Sequence, residues 1–152
     1  MSAFVASGTT ETFQLSNDGW FPDLDAHVAR EQLRIHGDVT DKRLEAALVN
    51  GMLTVNNLLR DFKALHILLY PSLEDVPSTD INGQSRFVYL YQRAVICTAG
   101  AELVERYRDY SASAEGDKNA ESSAPNIDDL RRDARWAISD LLGKRRTRVE
   151  LI

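Results

Sequence analysis

The chain has 152 residues with 18 basic and 23 acidic side chains, a formal net charge of -5. That length sets one domain with a single closed core, and the acidic balance excludes a general DNA-coating role, which needs surplus Lys and Arg to neutralise phosphates. Cys97 is the only cysteine, so an internal disulfide and a thiolate metal cluster within one chain are excluded, as suits a reducing cytosol.

Residues 1 to 22 mix Gly, Ser, Thr and Asn with scattered Phe4, Val5, Phe13, Leu15, Trp20 and Phe21. The stretch lacks the basic start and apolar run of a secretory signal, and no helical period emerges. "TFQL" is weak strand evidence, so residues 1 to 22 are expected to form an extended arm whose aromatics dock on their own domain or a neighbour's. Pro22 ends the arm by biasing Phe21 away from helical angles, and the bundle domain is expected over 23 to 143.

Asp23 or Asp25 can cap a first helix, "DAHVAREQLRI", with Val28, Leu33 or Gln32 and Ile35 on one face. Thr40 then caps a longer helix of about 28 residues, in which Leu44, Leu48, Met52, Val55, Leu59 and Phe62 recur at helical steps. Gly51 is a mild weakness inside it. The densest apolar run, "ALHILLY" at 64 to 70, is too short to span a bilayer, and no membrane partner is expected. Residues 69 to 84, with two prolines and an Asn-Gly pair, are a loop.

A third helix is expected from about Ser85 to Tyr110, with Phe87, Leu90, Ala94, Cys97, Ala101 and Val104 as its stripe and Glu102 placed to pair with Arg106. Its small residues Ala94, Ala99, Gly100 and Ala101 admit a close neighbour. "SASAEGDKNAESSAP" at 111 to 125 follows. It is long for a loop between helices, a length that signals function or disorder more than simple closure, and it is expected to be a surface loop that contacts a partner or a neighbouring subunit. The fourth helix opens on Pro125 and Asn126, places Asp128 and Asp129 at its positive end, buries Ile127, Leu130, Ala134, Ala137 or Ile138 and Leu141, and closes on Gly143. The fold class expected is therefore all-α, a compact bundle of about four helices with an N-terminal arm and a C-terminal tail over 144 to 152.

Chemistry is sparse. His27, His36 and His66 have no metal-ligand spacing, Cys97 sits on an apolar stripe with no partner histidine nearby in sequence, and the loop carboxylates suit caps and solvated positions. No phosphate loop, dinucleotide fingerprint or nucleophile elbow is present. No catalytic, cofactor or metal residues are assigned, no cofactor is expected, and the chain is not expected to be an enzyme. Binding chemistry is easier to find. Arg131, Arg132, Arg135 and Trp136 crowd one helix, either sealing the bundle through local ion pairs and an Arg-Trp contact or facing another subunit. In the tail, the run "KRRTR" precedes "VELI", whose Val149, Leu151 and Ile152 invite docking.

The ordered series "WFPDLD", "RLEAALVNGMLTVNNLL", "DINGQS", "ELVERYRDYSASAEGDKNAE" and "IDDLRRDARWAISDLLGKRRTRVELI" resembles the head completion proteins, protein L, of peduovirus-type tailed phages, from Trp20 to Ile152. The arm lacks a clear counterpart, and Arg145 stands where a proline is expected in relatives. The resemblance implies a virion protein that joins the head at the portal vertex after DNA packaging, retains the genome and prepares the head for tail attachment, with no catalytic residues. Its implied partners are the portal protein, neighbouring copies in a ring, a tail-side completion protein and the packaged DNA passing through the channel. The implied location is the head-tail junction of the virion, and the host cytoplasm during assembly. Interface candidates are then Trp20 and Phe21 toward a neighbour, Arg131, Arg132, Arg135 and Trp136 on the last helix, and Arg146, Arg148, Val149, Leu151 and Ile152 toward the portal or another subunit. The alternative is a helical DNA-binding regulator using the arginine-rich C-terminal region on phosphates.

Overall fold

A computed structural model describes residues 13–34, 39–111 and 126–146, the side chains of 107–111 excepted. Of the expected arm, residues 13–22 are described, and they run as extended chain and turn against their own domain. Strand β1 (Gln14–Leu15) pairs antiparallel with β2 (Leu24–Asp25), Gln14 opposite Asp25 and Leu15 opposite Leu24. Between them Asp18 organises the turn. Its carboxylate accepts the N–H groups of Trp20 at 3.0 Å and Phe21 at 2.9 Å and pairs with Lys63 at 2.7 Å.

Burial alone would raise the Asp18 pKa, but the hydrogen bonds from Lys63, Phe21 and Trp20 outweigh it and hold the carboxyl below its ordinary value. Because the folded value lies below the unfolded one of about 3.9, this contribution to stability is complete above pH ~4 and is lost as pH falls through the depressed folded value. Asp18→Asn is expected to cost about 1 kcal/mol at pH 7 and to bring a flatter acid limb. Urea midpoints measured between pH 7 and 2.5 check this, and a variant curve parallel to the parent's would refute it.

Helix α1 (Ala26–Leu33) is capped by Asp25, which accepts the His27 N–H at 2.8 Å. Its buried side is Ala26, Ala29 and Leu33, so Val28, expected on the buried face, is instead 45% exposed. Ile35 and His36 lie outside the described residues. Thr40 caps the next helix as expected, but the single long helix is two: α2 (Asp41–Leu58) and α3 (Arg60–His66), interrupted at Leu59 with φ -98° and ψ 9°. The Leu59 N–H still reaches the Val55 carbonyl at 2.9 Å, and the Lys63 N–H reaches Leu59 at 2.9 Å. The break contains no Gly or Pro, which is why the sequence did not signal it. The stripe survives the break, with Leu44, Leu48, Met52, Val55 and Leu59 buried and Phe62 half-buried.

The expected loop at 69–84 contains more order than its composition suggested. Leu73–Asp75 makes a short 3-10 turn whose Leu73 is fully buried and donates its N–H to the Trp20 carbonyl at 2.9 Å. Strand β3 (Asp80–Ile81) pairs antiparallel with β4 (Gln84–Ser85). Asn82 and Gly83 connect them with φ 53° and 73°, the left-handed pair that a tight hairpin turn requires. Strands of two residues are too short to register as alternation in a sequence.

Helix α4 (Arg86–Ser111) is the central element, packed along α2 on one side and along α5 (Ile127–Leu141) on the other. Its expected stripe is one part of what it buries, since Val88, Tyr91, Val95, Ile96, Ala99 and Leu103 are also inside. Cys97 and Val104, expected on the stripe, are only half-buried. On α5 the buried residues are Ile127, Ala134, Ala137 and Leu141, with Leu130 and Ile138 half-buried. The described fold is thus mostly helical, with five α-helices and two small antiparallel sheets, where a purely helical bundle of about four was expected. The "SASAEGDKNAESSAP" segment lies outside the described residues from 112 to 125.

One polar network crosses the core. The Tyr91 hydroxyl donates to Asn56 Oδ1 at 2.6 Å and accepts from Asn17 Nδ2 at 2.7 Å, while Asn56 Nδ2 donates to Asn17 Oδ1 at 2.9 Å. Burial pushes the phenol's pKa well above its ordinary value, so the hydroxyl stays protonated as a donor. The ring ties the N-terminal segment, α2 and α4 together, and every polar group in it is paired.

Candidate functional site

The last helix begins where Asn126 accepts the Asp128 N–H at 3.0 Å and ends in a reversal at Gly143. There the Lys144 N–H reaches the Ser139 carbonyl at 2.8 Å and the Gly143 N–H reaches Asp140 at 3.2 Å, a Schellman closure that turns the chain back along the helix. This return brings Arg146 over Trp136. Its guanidinium lies 4.7 Å from the indole, and that of Arg132 lies 4.8 Å from the same ring. Two cations therefore contact the Trp136 ring.

Each cation of the cluster is also paired with acids. Arg146 grips the Asp140 carboxylate through Nε and Nη2, and that bond, ahead of the opposing effect of burial, holds the Asp140 carboxyl below its ordinary range. Arg132 pairs with Asp129 at 2.7 Å and Asp133 at 3.1 Å, and Arg131 pairs with Glu105 of α4 at 2.9 Å. The ion pairs expected to seal this helix are thus made by Asp129, Asp133 and Glu105. Among the described residues, the basic groups of this face with no carboxylate partner are Arg135, Lys144 and Arg145. The phosphate-binding alternative would draw on these three and on Arg148, which lies outside the described residues, because cations neutralised by their own neighbours have little to offer a duplex.

The structure divides the interface candidates. Arg132, Trp136 and Arg146 form one surface cluster, while Arg131 and Arg135 border an open groove of about 300 Å³ above α4, between α2 and α5. Leu58, Thr98, Ala101, Ala134 and Ile138 line the groove with them. Both carboxylates on its wall are engaged, Glu102 by Arg106 and Asn50 and Glu105 by Arg131. Trp20 and Phe21 lie elsewhere, each 3% exposed. The Trp20 indole donates to the Tyr70 carbonyl at 3.1 Å and meets Phe21 edge-on at 5.0 Å, and Phe21 stacks on Tyr91 at 4.9 Å. Of the two docking options for these aromatics, the described fold takes the one on their own domain. Arg148, Val149, Leu151 and Ile152 lie outside the described residues.

Among the described residues, titratable groups suited to catalysis are not gathered in one place. Among the described residues no group of three His, Cys, Asp or Glu side chains is placed to hold a metal ion. His66 bonds the Phe62 carbonyl at 2.7 Å and packs on the Phe62 ring, and burial raises the Cys97 thiol pKa above its ordinary value. No described helix is long and apolar enough to cross a membrane. The arrangement as a whole offers surfaces for binding.

A set of exposed apolar residues escaped the sequence reading. Leu65, Leu68 and Leu69 are 76%, 91% and 75% exposed, and Ile67 is 44% exposed. Their signal was the "ALHILLY" run itself, judged only against the length of a membrane span.

The family described as phage head completion protein (GPL) matches residues 15–152. A protein of Escherichia phage P2 named head completion/stabilization protein is 42% identical over 139 residues, covering 91% of this chain and 82% of that protein. No solved structure matches.

Proposed function

The chain belongs to the phage head completion protein (GPL) family, a structural component of the virion, and from that membership we propose a connector subunit at the portal vertex. In this role it joins the head after DNA packaging, retains the genome and provides a seat for tail attachment. Copies form a ring that contacts the portal protein on one side and a tail-side completion protein on the other, with DNA passing through the centre at the head-tail junction. Assembly takes place in the host cytoplasm.

The observation that supports this reading best is the Trp136 clasp. It fixes the chain as far as Arg146 against α5, and in this reading the basic and apolar residues that follow in the sequence, Arg148, Val149, Leu151 and Ile152, engage a partner. Lys144 and Arg145, exposed beside the clasp, give that segment a positive base. The work of such a protein is binding, which accords with a surface rich in arginine and poor in reactive groups.

Removing residues 147–152 tests the proposal while leaving Arg146 on Trp136. The shortened protein is expected to keep its helical circular dichroism and thermal midpoint. Completed, DNA-retaining heads are expected to fall on the order of tenfold or more, the equivalent of losing about 1.4 kcal/mol or more of docking free energy in total. Heads completed at the parental level by the shortened protein would remove the tail from the assembly interface.

A further inference from the structure

Leu65, Ile67, Leu68 and Leu69 form an apolar corner where α3 gives way to the following turn. Isolated exposed leucines are ordinary, but adjacent ones on one corner mark a contact surface. We propose that this corner receives the C-terminal segment 147–152 of a neighbouring copy, an inference that rests on the ring-forming connector reading.

Three observations select this occupant. The first is placement. Phe62 of α3 meets Phe87 at the start of α4 at 5.5 Å, and Arg86 donates to the Asp140 carbonyl at 3.3 Å, so the apolar corner and the departing tail share one end of the bundle. The second is chemistry. Residues 69–85 contain Glu74, Asp75 and Asp80, all exposed, and no Lys or Arg, whereas the tail brings Lys144, Arg145 and Arg148 ahead of the apolar Val149, Leu151 and Ile152. Cations would meet the acidic rim and aliphatic side chains the leucines. The third is reach. Six residues reach at most about 20 Å from Arg146, which the Trp136 contact fixes on α5, far enough to lie across the end of an adjacent copy.

A surface and its complement at different places on one chain make a heterologous contact, which closes into a ring when the rotation between copies permits. A strap of six residues is far below the roughly 20–30 residues a side of a free-standing complex. The contact is therefore expected in assembled particles.

The test uses particles assembled from two differently tagged chains, both Cys97→Ser, one with Leu68→Cys and the other with Leu151→Cys. Leu68 is 91% exposed, so the substitution leaves the core intact. Mild oxidation is expected to join the two tags into a mixed dimer about tenfold more than a Val28→Cys and Leu151→Cys control pair, because docking raises the effective concentration of the thiols. In a third chain carrying Cys97→Ser, Leu68→Cys and Leu151→Cys together, a disulfide that closes within the monomer overturns the proposal in favour of self-docking. Leu68-to-Leu68 dimers, or a bond to a different virion protein, overturn it in favour of another occupant. If the protein is present in particles and none of these bonds forms above the control, the tail-to-corner contact is wrong while the connector reading stands. Absence of the protein from purified particles overturns both.

Discussion

Replacing Trp20 by alanine is expected to destabilise the folded protein by about 3–5 kcal/mol, the cost of deleting a large aromatic from a closed core. Trp20 is 3% exposed, packs edge-on against Phe21 and Phe62, and bonds the Tyr70 carbonyl through its indole N–H. Truncation leaves a cavity and an unpaired carbonyl together. Domains of this size commonly have only about 5–15 kcal/mol in total, so the variant should unfold at much lower urea, with a thermal midpoint lower by roughly 10 °C or more. Arg135→Ala, on the exposed face of α5, should change stability by less than about 0.5 kcal/mol. Urea titrations of the two variants distinguish a core anchor from an interface residue. A Trp20→Ala protein with parental stability would return Trp20 to the surface-binding set.

Gly51→Val is expected to cost about 3 kcal/mol, although helix propensity alone favours almost any residue over glycine there. A Cβ at Gly51 would stand 2.9 Å from the Val95 carbonyl oxygen and 3.3 Å from a Val95 methyl. The nearest atom belongs to the α4 backbone, which cannot rotate away as a side chain would. The two helices must separate, and overpacking of this kind costs about 1–3 kcal/mol before any loss along the rest of the α2–α4 contact. Gly51→Ala should show the same sign with a smaller magnitude, since its propensity gain of about 1 kcal/mol offsets part of the clash. An alanine variant more stable than the parent would show that the helices can part cheaply, and would undo the argument.

Gly51 shows where local reasoning ends. From the sequence it is a weak point in a helix, and only the packing of α2 on α4 turns it into a site of close approach. Trp20 and Phe21 follow the same pattern. Their position after a polar stretch suggested an arm, and nothing local told whether the rings would find their own core or a neighbour's. That outcome depends on Phe62, Tyr70, Leu73 and Tyr91, all at least forty positions away.

The candidate binding surface was partly legible. Arg132 lies one turn before Trp136, a spacing that fixes their contact within any helix, and the contact is present. That Arg146 would close over the same ring depended on the reversal after Gly143, which composition suggests but does not aim. The apolar corner at Leu65–Leu69 was visible as a hydrophobic run, but hydrophobicity does not say which side of a turn faces water.

What the sequence determined by itself was local: the caps at Thr40 and Asn126, the choice of Asp23 or Asp25 for the first helix, the apolar stripe of α2 and α3, the extents of α4 and α5, and the family membership carried by its ordered motifs. These rest on hydrogen bonds and periodicities spanning a few residues, and few alternatives satisfy them. The tertiary structure decided the rest. It broke the long helix at Leu59, paired strands of two residues, drew Trp20 and Phe21 inward, and left Leu65, Leu68 and Leu69 in water. Each of these outcomes is set by which distant surfaces meet, because burial is a property of the packed whole and no single segment carries it.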